Sequence, residues 1–392
     1  MGFINLDHIS ANPLLSEVQE AMIDAIKKDY GNPSSQHKLG DQATEALDNA
    51  RESVARLINC TDSRRIIFTS GGTESVNHAV KGIAWANAEK GKKHIVTSNV
   101  EHKTVIRSLR RLKMLGFKIT SVPVDSYGRV NPDHVANAIN DETILVSIMH
   151  SNNEIGTIQP IEKIAEITKD KNVIFHSDAV DSVGVVPIDV EKLGVDALSF
   201  ASNPFYGPTG AGGLYIRSGL KIWPLLEGGV QENNRRGGAE NLIGIIGMGV
   251  AADLALKDMA SRINYTKTLK EKFLEELPRY IDEYIINGHP EYCLPNLVSV
   301  AIKYIEGESV VLMLDEENIA ASTRSACASG SLRASHVLLS TGLEFADAQG
   351  TLVLTFGIDN SEAEIEHFLT VLKKAVDTLR AMSPLYKKTT HA

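Results

Sequence analysis

The chain has 392 residues, of which 43% are hydrophobic and 23% are charged. These fractions are close to those of soluble globular proteins and exclude a disordered, collagen-like or coiled-coil protein. The formal net charge of −9 argues against direct binding to long nucleic acid or to an anionic membrane, because both require a basic surface. No stretch approaches 18 uninterrupted apolar residues, and the amino terminus lacks a basic segment followed by an apolar one. We therefore expect a cytoplasmic protein without a membrane span.

Between about residues 40 and 260, helical periodicity alternates with short apolar runs, which we interpret as strands. The runs lie at 64–72, 94–98, 118–124, 143–150, 172–179, 196–201 and 212–217. Apolar strands that alternate with helices predict an α/β fold with a mostly parallel sheet covered on both faces. Ligands in such folds bind at the carboxyl ends of the strands.

After about residue 255 the pattern becomes that of a smaller α+β domain. Its predicted elements are a helix over about 256–285, a strand at 297–302, a helix over 308–317, a strand at 352–357 and a terminal helix from about Ser361. We expect the amino-terminal segment to pack with this domain. The predicted division is therefore a large domain over 15–255 and a small domain formed by 1–14 and 256–392.

Polar motifs follow several of the predicted strands. Gly72 and Thr73 follow a strand and open a helix, where backbone N–H groups and the Thr hydroxyl can hold a phosphate. His102 follows the next strand, where an imidazole can stack on an aromatic ring or transfer protons. Asn153 and Asp178 follow further strands, and a carboxylate in such a place can pair with a protonated ring nitrogen, as in pyridoxal phosphate (PLP) enzymes. Taken singly, each motif also has an ordinary structural explanation, such as helix capping; together they favour a ligand site.

The three cysteines, Cys60, Cys293 and Cys327, are too few and too scattered for a disulfide framework or a CxxC metal site. Cys327 lies in ASTRSACASGS, among small residues in a predicted loop of the second domain. A thiol on an exposed loop can act as a nucleophile or as a metal ligand, whereas an inert buried cysteine more often lies in an apolar run. We therefore predict a function for Cys327.

Taken together, these segments resemble the cysteine desulfurases of the IscS/NifS type, which belong to the class V aminotransferase family of fold-type I PLP enzymes. The resemblance extends over essentially the whole chain. The matching segments are GNPSSQH (31–37), TSGGTES (69–75), EHK (101–103), NNEIGTIQP (152–160), HSDAVDSVG (176–184), YGPTGAGGLY (206–215), RGGAEN (236–241) and SACASGSLRASHVL (325–338). The resemblance implies a homodimer that transfers cysteine sulfur, through a persulfide on the loop cysteine, to an IscU-type iron–sulfur scaffold or to tRNA-modifying proteins.

The resemblance also implies roles for individual residues. Cys327 matches the persulfide cysteine, and His102 matches the residue stacked on the pyridine ring. Thr73, with Gly72 beside it, matches a phosphate contact. Asn153 matches a cofactor contact, and Asp178 matches the partner of the pyridine nitrogen. Asp181 and Ser202 fall at further positions of the cofactor site.

The sequence departs from the family at the lysine that forms the Schiff base with PLP. The family segment Ser-x-His-Lys reads Ala201-Ser202-Asn203-Pro204 here, and no lysine occurs between Lys192 and Lys221. Further departures are Asp181 for the Gln that faces the phenolate oxygen, Ala201 for a phosphate-binding Ser, Asn203 for His, Ala239 for a Thr that reaches across the dimer, Val353 for the Arg that binds the substrate carboxylate, and Arg324 for a Gly before the cysteine loop. The Schiff-base chemistry lacks its amine, so we expect PLP to bind weakly or not at all.

Three hypotheses remain open. In the first, the protein acts in iron–sulfur cluster biosynthesis and offers Cys327 to a scaffold as a persulfide acceptor or as a ligand of a shared [2Fe-2S] cluster. In the second, it is an active PLP-dependent cysteine desulfurase that bypasses the missing lysine. In the third, it is a binding or structural protein in which Cys327 is incidental.

Overall fold

The computed structural model describes residues 2–28, 31–88, 91–324, 334–384 and 386, so Cys327 lies outside the described residues. In chain order, the strands are β1 (Ile4–Asn5), β2 (Ile66–Thr69), β3 (His94–Ser98), β4 (Lys118–Val122), β5 (Thr143–Ser147), β6 (Ile174–Asp178), β7 (Ala197–Ala201), β8 (Gly212–Ile216), β9 (Tyr284–Asn287), β10 (Leu297–Ile302), β11 (Ile319–Ala320) and β12 (Thr351–Thr355). The helices are α1 (Ser16–Lys28), α2 (Lys38–Leu57), α3 (Gly72–Ala88), α4 (Lys103–Met114), α5 (Pro132–Ala138), α6 (Ile161–Asp170), α7 (Val190–Leu193), α8 (Gln231–Asn234), α9 (Leu242–Tyr280), α10 (Gly307–Asp315), α11 (His336–Ser340), α12 (Phe345–Gln349) and α13 (Glu362–Met382).

A seven-stranded sheet with the order β2-β8-β7-β6-β5-β3-β4 forms the centre of the first part of the chain. Its neighbouring strands are parallel from β7 to β4, and β8 is antiparallel to both β2 and β7. The strand residues of β2, β3, β5, β7 and β8 are buried throughout, as expected for a sheet covered on both faces. The predicted α/β fold with a mostly parallel sheet is therefore confirmed.

The later part of the chain contains a three-stranded antiparallel sheet with the order β12-β10-β9. The amino-terminal segment joins this part, because β1 pairs in parallel with β11. Helices α10 and α13 pack with these strands around a core that includes Phe273, Phe356 and Phe368. In contrast, Leu242 to Ala255 at the start of α9 lie in the core beneath the main sheet. Helix α9 thus runs from one core into the other.

Helix α9 differs from the helix predicted at 256–285, because it begins at Leu242 and ends at Tyr280. The first half of α9 packs between α1 and α2 and is buried at Gly244, Gly247 and Met248. A helix enclosed on most sides shows no amphipathic period, so the sequence pattern reveals only its exposed second half. Among the described residues, none of the helices combines the length and the apolar character that a bilayer crossing requires.

Helix α13 begins with a capping box, in which the Oγ of Ser361 accepts a hydrogen bond from the N–H of Glu364 and the carboxylate of Glu364 accepts one from the N–H of Ser361. We expect Ser361→Ala to lower the free energy of unfolding by about 1 kcal/mol, because one helix N–H loses its acceptor. Urea denaturation of the variant measures this loss. The exposed hydroxyl of Ser261 caps no helix, so Ser261→Ala is the control; equal stability of the two variants would contradict the capping role.

Candidate functional site

The predicted site residues gather at one edge of the main sheet. Strands β3, β5, β6 and β7 are parallel, and β2 runs in the same direction as β7 because both are antiparallel to β8. The carboxyl ends of these strands therefore share an edge, and the segments that follow them carry Gly72, Thr73, His102, Asn153, Asp178, Asp181 and Ser202. The clustering predicted for these residues thus follows directly from the topology.

Gly72 is the first residue of α3, and Val180 packs directly on it. A Cβ at this position would lie 2.6 Å from Cγ2 of Val180, so glycine permits the contact between the start of α3 and the segment after β6. Thr73 is exposed in the first turn of α3. Glu74 accepts a hydrogen bond of 2.7 Å from the N–H of Ser70 and forms a salt bridge of 3.0 Å with Arg236. The carboxylate of Glu74, whose charge is balanced by Arg236, therefore already lies at the amino-terminal end of α3.

His102 is the N-cap of α4, and its Nδ1 accepts a hydrogen bond of 3.2 Å from the N–H of Thr104. That bond requires Nδ1 to be unprotonated, so we assign the ring proton to Nε2. Burial, assisted by nearby cations, lowers the pKa of His102 to about 4. The imidazole is therefore neutral at pH 7, where it can donate a hydrogen bond or stack on a ring but is a poor general acid.

Asp178 ends β6, and its Oδ1 accepts a hydrogen bond of 3.1 Å from the N–H of Val180. Burial, and then the charge of Asp181, raises the pKa of Asp178 to about 7. Burial also raises the pKa of Asp181 to about 6, although Arg324 lowers it in part. The two carboxyls disfavour each other's ionisation, as expected for like charges that share a buried site.

We expect Asp181→Asn to stabilise the protein at pH 8 by on the order of 1–2 kcal/mol. The pKa of Asp181 is raised in the folded state, so the protonated carboxyl costs nothing near pH 4, and the penalty grows as the pH rises through about 6. The advantage of the variant over the wild type should therefore vanish near pH 4. Urea denaturation at several pH values measures it, with Asp24→Asn as the exposed control. A constant difference between pH 4 and pH 8 would contradict the assignment.

Asn153 and Ser202 present polar groups that have no partner among the described residues. Asn153 is 9% exposed and makes no hydrogen bond there, whereas the amide of neighbouring Asn152 bonds to Val100 and to the turn that follows. Ser202 is fully buried, and its Oγ has no partner in the described part of the chain. Buried polar groups of this kind are costly unless something binds them, so both remain candidate ligand contacts.

Pro204 lies within a short 3-10 turn, Asn203–Phe205, that follows β7. The turn closes through Tyr206, which adopts a positive φ of 65°, and the carbonyl of Asn203 accepts a hydrogen bond of 2.8 Å from Asn12. Pro204 and Asp181 line one cavity of about 40 Å³. The turn is thus regular and hydrogen-bonded, and its central residue, Pro204, has no amine.

These residues only partly fit PLP. The buried Asp178 carboxyl, in its ionised form, suits a pyridine nitrogen that carries a proton, because that positive charge would offset the burial and the neighbouring charge that raise its pKa. However, Pro204 offers no amine for a Schiff base, and the Asp181 carboxylate would repel a phenolate oxygen. PLP as a covalently held cofactor therefore does not fit this site.

Two features of the site were not predicted from the sequence: the contacts of Glu101 and the conformation of Arg324. Glu101 is fully buried and accepts hydrogen bonds from the N–H of Met149 and the hydroxyl of Ser98, so it ties the segment after β3 to the segment after β5. Burial raises the pKa of Glu101 to about 8. The sequence did carry a signal for Glu101: an acidic residue next to His102 and between two apolar segments is unusual.

The conformation of Arg324, which was named above as a departure from the family, is the other feature that was not predicted. Its φ is +56°, in the left-handed region that favours glycine, which is the residue the resemblance places there. The guanidinium donates to Ser10 at 3.0 Å and lies 3.4 Å from Asp7. These contacts attach the last described residue before 325–333 to the amino-terminal segment.

At two further departures from the family, Val353 stands for an Arg and Ala239 for a Thr, so neither position carries the cationic or hydroxyl group of the family. Val353 is 2% exposed and packs in an apolar cluster with Leu294 and Leu297, so this position offers no charge to a carboxylate. Ala239 is exposed in the segment before α9.

Comparisons with known proteins agree with this architecture. The model of the family "Aminotransferase class-V" matches residues 4–368. The chain is 46% identical to the cysteine desulfurase IscS of Dictyoglomus turgidum, with 98% of this chain and 97% of the relative covered. It is also 46% identical to the cysteine desulfurase IscS of Methanosarcina thermophila, over 98% and 95% of the two chains. A solved structure described as a NifS-like protein superposes with a TM-score of 0.90 at 35% identity and covers 96% of this chain and 100% of its own. The chain therefore belongs to the class V aminotransferase family, and within it to the PLP-dependent IscS/NifS-type cysteine desulfurases.

Proposed function

We propose that this protein acts in iron–sulfur cluster biosynthesis as an IscS-like partner that offers the Cys327 thiol to a scaffold protein, without Schiff-base desulfurase chemistry. The Cys327 thiolate either attacks the outer sulfur of an external persulfide, breaking its S–S bond and releasing the donor thiol, or completes the ligand set of a shared [2Fe-2S] cluster. Pro204 is the observation that carries the proposal, because it fills the lysine position with a residue that has no amine.

The surroundings of Pro204 support the proposal. Lysine is absent from 193–220, so a neighbouring residue of this segment cannot supply the amine. The second carboxyl at Asp181 and the apolar cluster around Val353 disfavour a phenolate and a substrate carboxylate, respectively. Each change removes a group that a different part of the PLP reaction needs. Together, the changes support loss of the whole reaction and not a single substitution with the reaction retained.

The segment around Cys327 supports the second half of the proposal. It keeps the SACASG pattern while the cofactor residues change, which indicates a use for the thiol that does not depend on PLP. An iron–sulfur cluster is commonly held by four thiolate ligands, so a scaffold with three ligands can take its fourth from a partner. We also infer a homodimer and an IscU-type scaffold as partners, on the basis of the named relatives.

We further infer the division into a large domain over 15–255 and a small domain of 1–14 with 256–392. In support, α9 residues up to Ala255 lie in the core of the main sheet, whereas Leu269 and Phe273 lie in the second core. The pairing of β1 with β11 places the amino-terminal segment with the small domain.

Absorbance spectra of the purified full-length protein under anaerobic conditions test the missing reaction, with PLP and L-cysteine added and with alanine and sulfide measured. We expect no aldimine band and no alanine beyond that formed by free PLP in a protein-free control. An aldimine band together with catalytic alanine formation would overturn the proposal.

The second candidate is an active cysteine desulfurase that bypasses the lysine. The retention of His102, Asn153 and Asp178 favours it, as do the names of the relatives. It requires turnover that depends on added PLP and that Asp178→Asn abolishes. If turnover in the presence of PLP is unaffected by Asp178→Asn, the reaction is that of free PLP and this candidate is excluded.

A further inference from the structure

The small cavity beside Pro204 lies between the turn after β7, the amino-terminal segment and helix α9. We call it the Pro204 cavity. Of the described residues predicted for the candidate site, only Asp181 lines it. Apolar side chains, among them Ile9, Val185 and Phe356, form much of its wall. The Pro204 cavity is therefore separate from the place where most of the predicted cofactor contacts lie.

Arg262 on α9 is an incompletely paired cation in the wall of this cavity. Its side chain is 11% exposed, and its Nε and Nη1 have no hydrogen-bond partner within the described part of the chain. Its Nη2 lies 3.7 Å from the carboxylate of Asp258, which is 42% exposed. Burial lowers the pKa of Arg262, so the nearby acids do not fully offset the cost of burying its charge. An anion that accepts hydrogen bonds from these N–H groups would stabilise it.

Asn296 brings a second polar group to the cavity. Its Oδ1 is buried and has no hydrogen-bond donor among the described residues. Oδ1 can accept a hydrogen bond from a ligand that carries a proton, and rotation of the amide by half a turn presents Nδ2 as a donor instead. The Asn296 side chain can therefore bind an anion with or without a proton of its own.

The opposite wall of the cavity is held by hydrogen bonds within the protein. His8 is 2% exposed, and its Nδ1 lies 2.8 Å from Oδ1 of Asn12. The amide of Asn12 in turn donates to the carbonyl of Asn203, so Oδ1 of Asn12 is the acceptor and Nδ1 of His8 carries the proton. These bonds attach the amino-terminal segment to the turn that contains Pro204. The cavity is thus formed without a ligand.

The volume of the cavity limits the ligand to about the size of one water molecule. A water molecule takes up about 30 Å³ in the liquid, so a cavity of about 40 Å³ admits a single ion of similar size and excludes a phosphate or an amino acid. A water molecule could accept hydrogen bonds from Arg262 but would leave its charge unbalanced. A monovalent anion does both.

We propose that the Pro204 cavity binds one small monovalent anion, of about the size of chloride or hydrosulfide, through Arg262 and Asn296. Asp181 is the opposing charge in the wall. Burial raises the pKa of this carboxyl to about 6, so it takes up a proton readily when an anion enters. The inference goes beyond the proposed function, since it requires neither Cys327 nor a cluster.

Thermal unfolding of the full-length protein tests the inference. Sodium bromide is titrated against sodium gluconate at constant ionic strength, because gluconate is too large for the cavity. We expect about 200 mM bromide to raise the unfolding midpoint by about 2–3 °C, and the rise to saturate, as it does when a ligand binds one site of the folded state. General effects of salts on protein stability do not saturate in this way. Crystals grown in bromide should show an anomalous peak beside Arg262.

Two variants and a control assign the effect to the cavity. Arg262→Gln removes the charge and should abolish the dependence on bromide. Asp181→Asn removes the opposing carboxylate and should increase the affinity for bromide by about tenfold, a gain that is measured independently of Arg262→Gln. The control, Arg279→Gln, removes an exposed arginine from the same helix and should leave the dependence on bromide unchanged.

Hydrosulfide, added under anaerobic conditions, distinguishes two sources of such an anion. Its S–H group can donate to Oδ1 of Asn296, whereas a halide has no proton to donate. Binding of hydrosulfide about tenfold tighter than bromide would support the proposal and assign the cavity to sulfide. Equal affinities would support it and assign the cavity to a halide.

Four results would overturn the inference. The first three are no saturable difference between bromide and gluconate, a dependence on bromide that survives Arg262→Gln, and an equal loss in Arg279→Gln. The fourth is a bromide peak in the crystal without any dependence in solution, which would show binding at crystal concentration only. None of these results bears on Cys327, so they leave the proposed function unaffected.

Discussion

Replacing Cys327 with serine is expected to abolish cluster retention, or sulfur transfer, in the complex of this protein with an iron–sulfur scaffold. A serine hydroxyl remains protonated near neutral pH and ligates iron poorly, whereas a thiolate is both a nucleophile and a strong iron ligand. The near-isosteric change removes the reactive sulfur and adds no bulk. We therefore expect the iron and sulfide content of the isolated complex to fall by about tenfold or more, while the affinity for the scaffold stays within about twofold.

The other two cysteines are matched controls. The Cys60 thiol is 8% exposed, donates to the carbonyl of Asp62 at 3.2 Å, and has a pKa that burial raises. Cys293 lies 3.2 Å from Nζ of Lys270 and outside the SACASG segment. Neither belongs to the segment that the proposal assigns to the scaffold, so the complexes of Cys60→Ser and Cys293→Ser should retain their iron and sulfide. Full cluster content in the Cys327→Ser complex would exclude the ligand role, and unchanged sulfur transfer would exclude the acceptor role.

The strands of the main sheet were accessible from the sequence, and most of them are buried on both faces. A strand such as β5 reads as an uninterrupted apolar run, and the polar residues that follow it must face a cavity or find partners. The edge of the sheet could therefore be predicted as the site. The first half of α9 could not, since a helix enclosed by α1 and α2 has no polar face to mark its period.

The departures from the family at the site differed in how readily the sequence revealed them. Pro204 and Asp181 were evident once the family was recognised, because a missing amine and an added carboxylate have direct chemical meanings. The conformation of Arg324 was not evident from the single sequence, because an arginine gives no indication of a positive φ; only the glycine that the family has at this position points to it. Its contacts with Asp7 and Ser10 join segments that are more than three hundred residues apart, and single-sequence patterns carry no such information.

A buried salt bridge between Arg51 and Glu232 lies outside the candidate site. The guanidinium of Arg51 on α2 makes two hydrogen bonds of 2.7 Å with the carboxylate of Glu232, whose side chain is 1% exposed. The same carboxylate accepts a bond of 3.0 Å from the N–H of Phe68 on β2, and Arg51 also donates to the carbonyl of Ile66. The pair thus joins α2, β2 and the turn α8.

Glu232 adopts this position at a conformational cost. Its φ is +48°, and Asn233 and Asn234 also have positive φ, so the turn holds a left-handed conformation that non-glycine residues disfavour. The bonds to Arg51 and Phe68 offset that cost. Loss of Arg51 would therefore leave a strained turn and a buried carboxylate with one hydrogen bond.

We expect Arg51→Met to lower the free energy of unfolding by about 3–5 kcal/mol, because removing one partner leaves a charge buried without compensation. Urea denaturation measures the loss, and Arg56→Met is the matched control: Arg56 is on the same helix, but its pair with Asp253 is about half exposed and should contribute at most about 1 kcal/mol. The double variant Arg51→Met with Glu232→Leu should recover part of the stability, since it removes the unpaired charge as well. If Arg51→Met costs no more than Arg56→Met, the bridge is not what holds the turn, and the positive φ of Glu232 must be maintained by the packing of the neighbouring backbone.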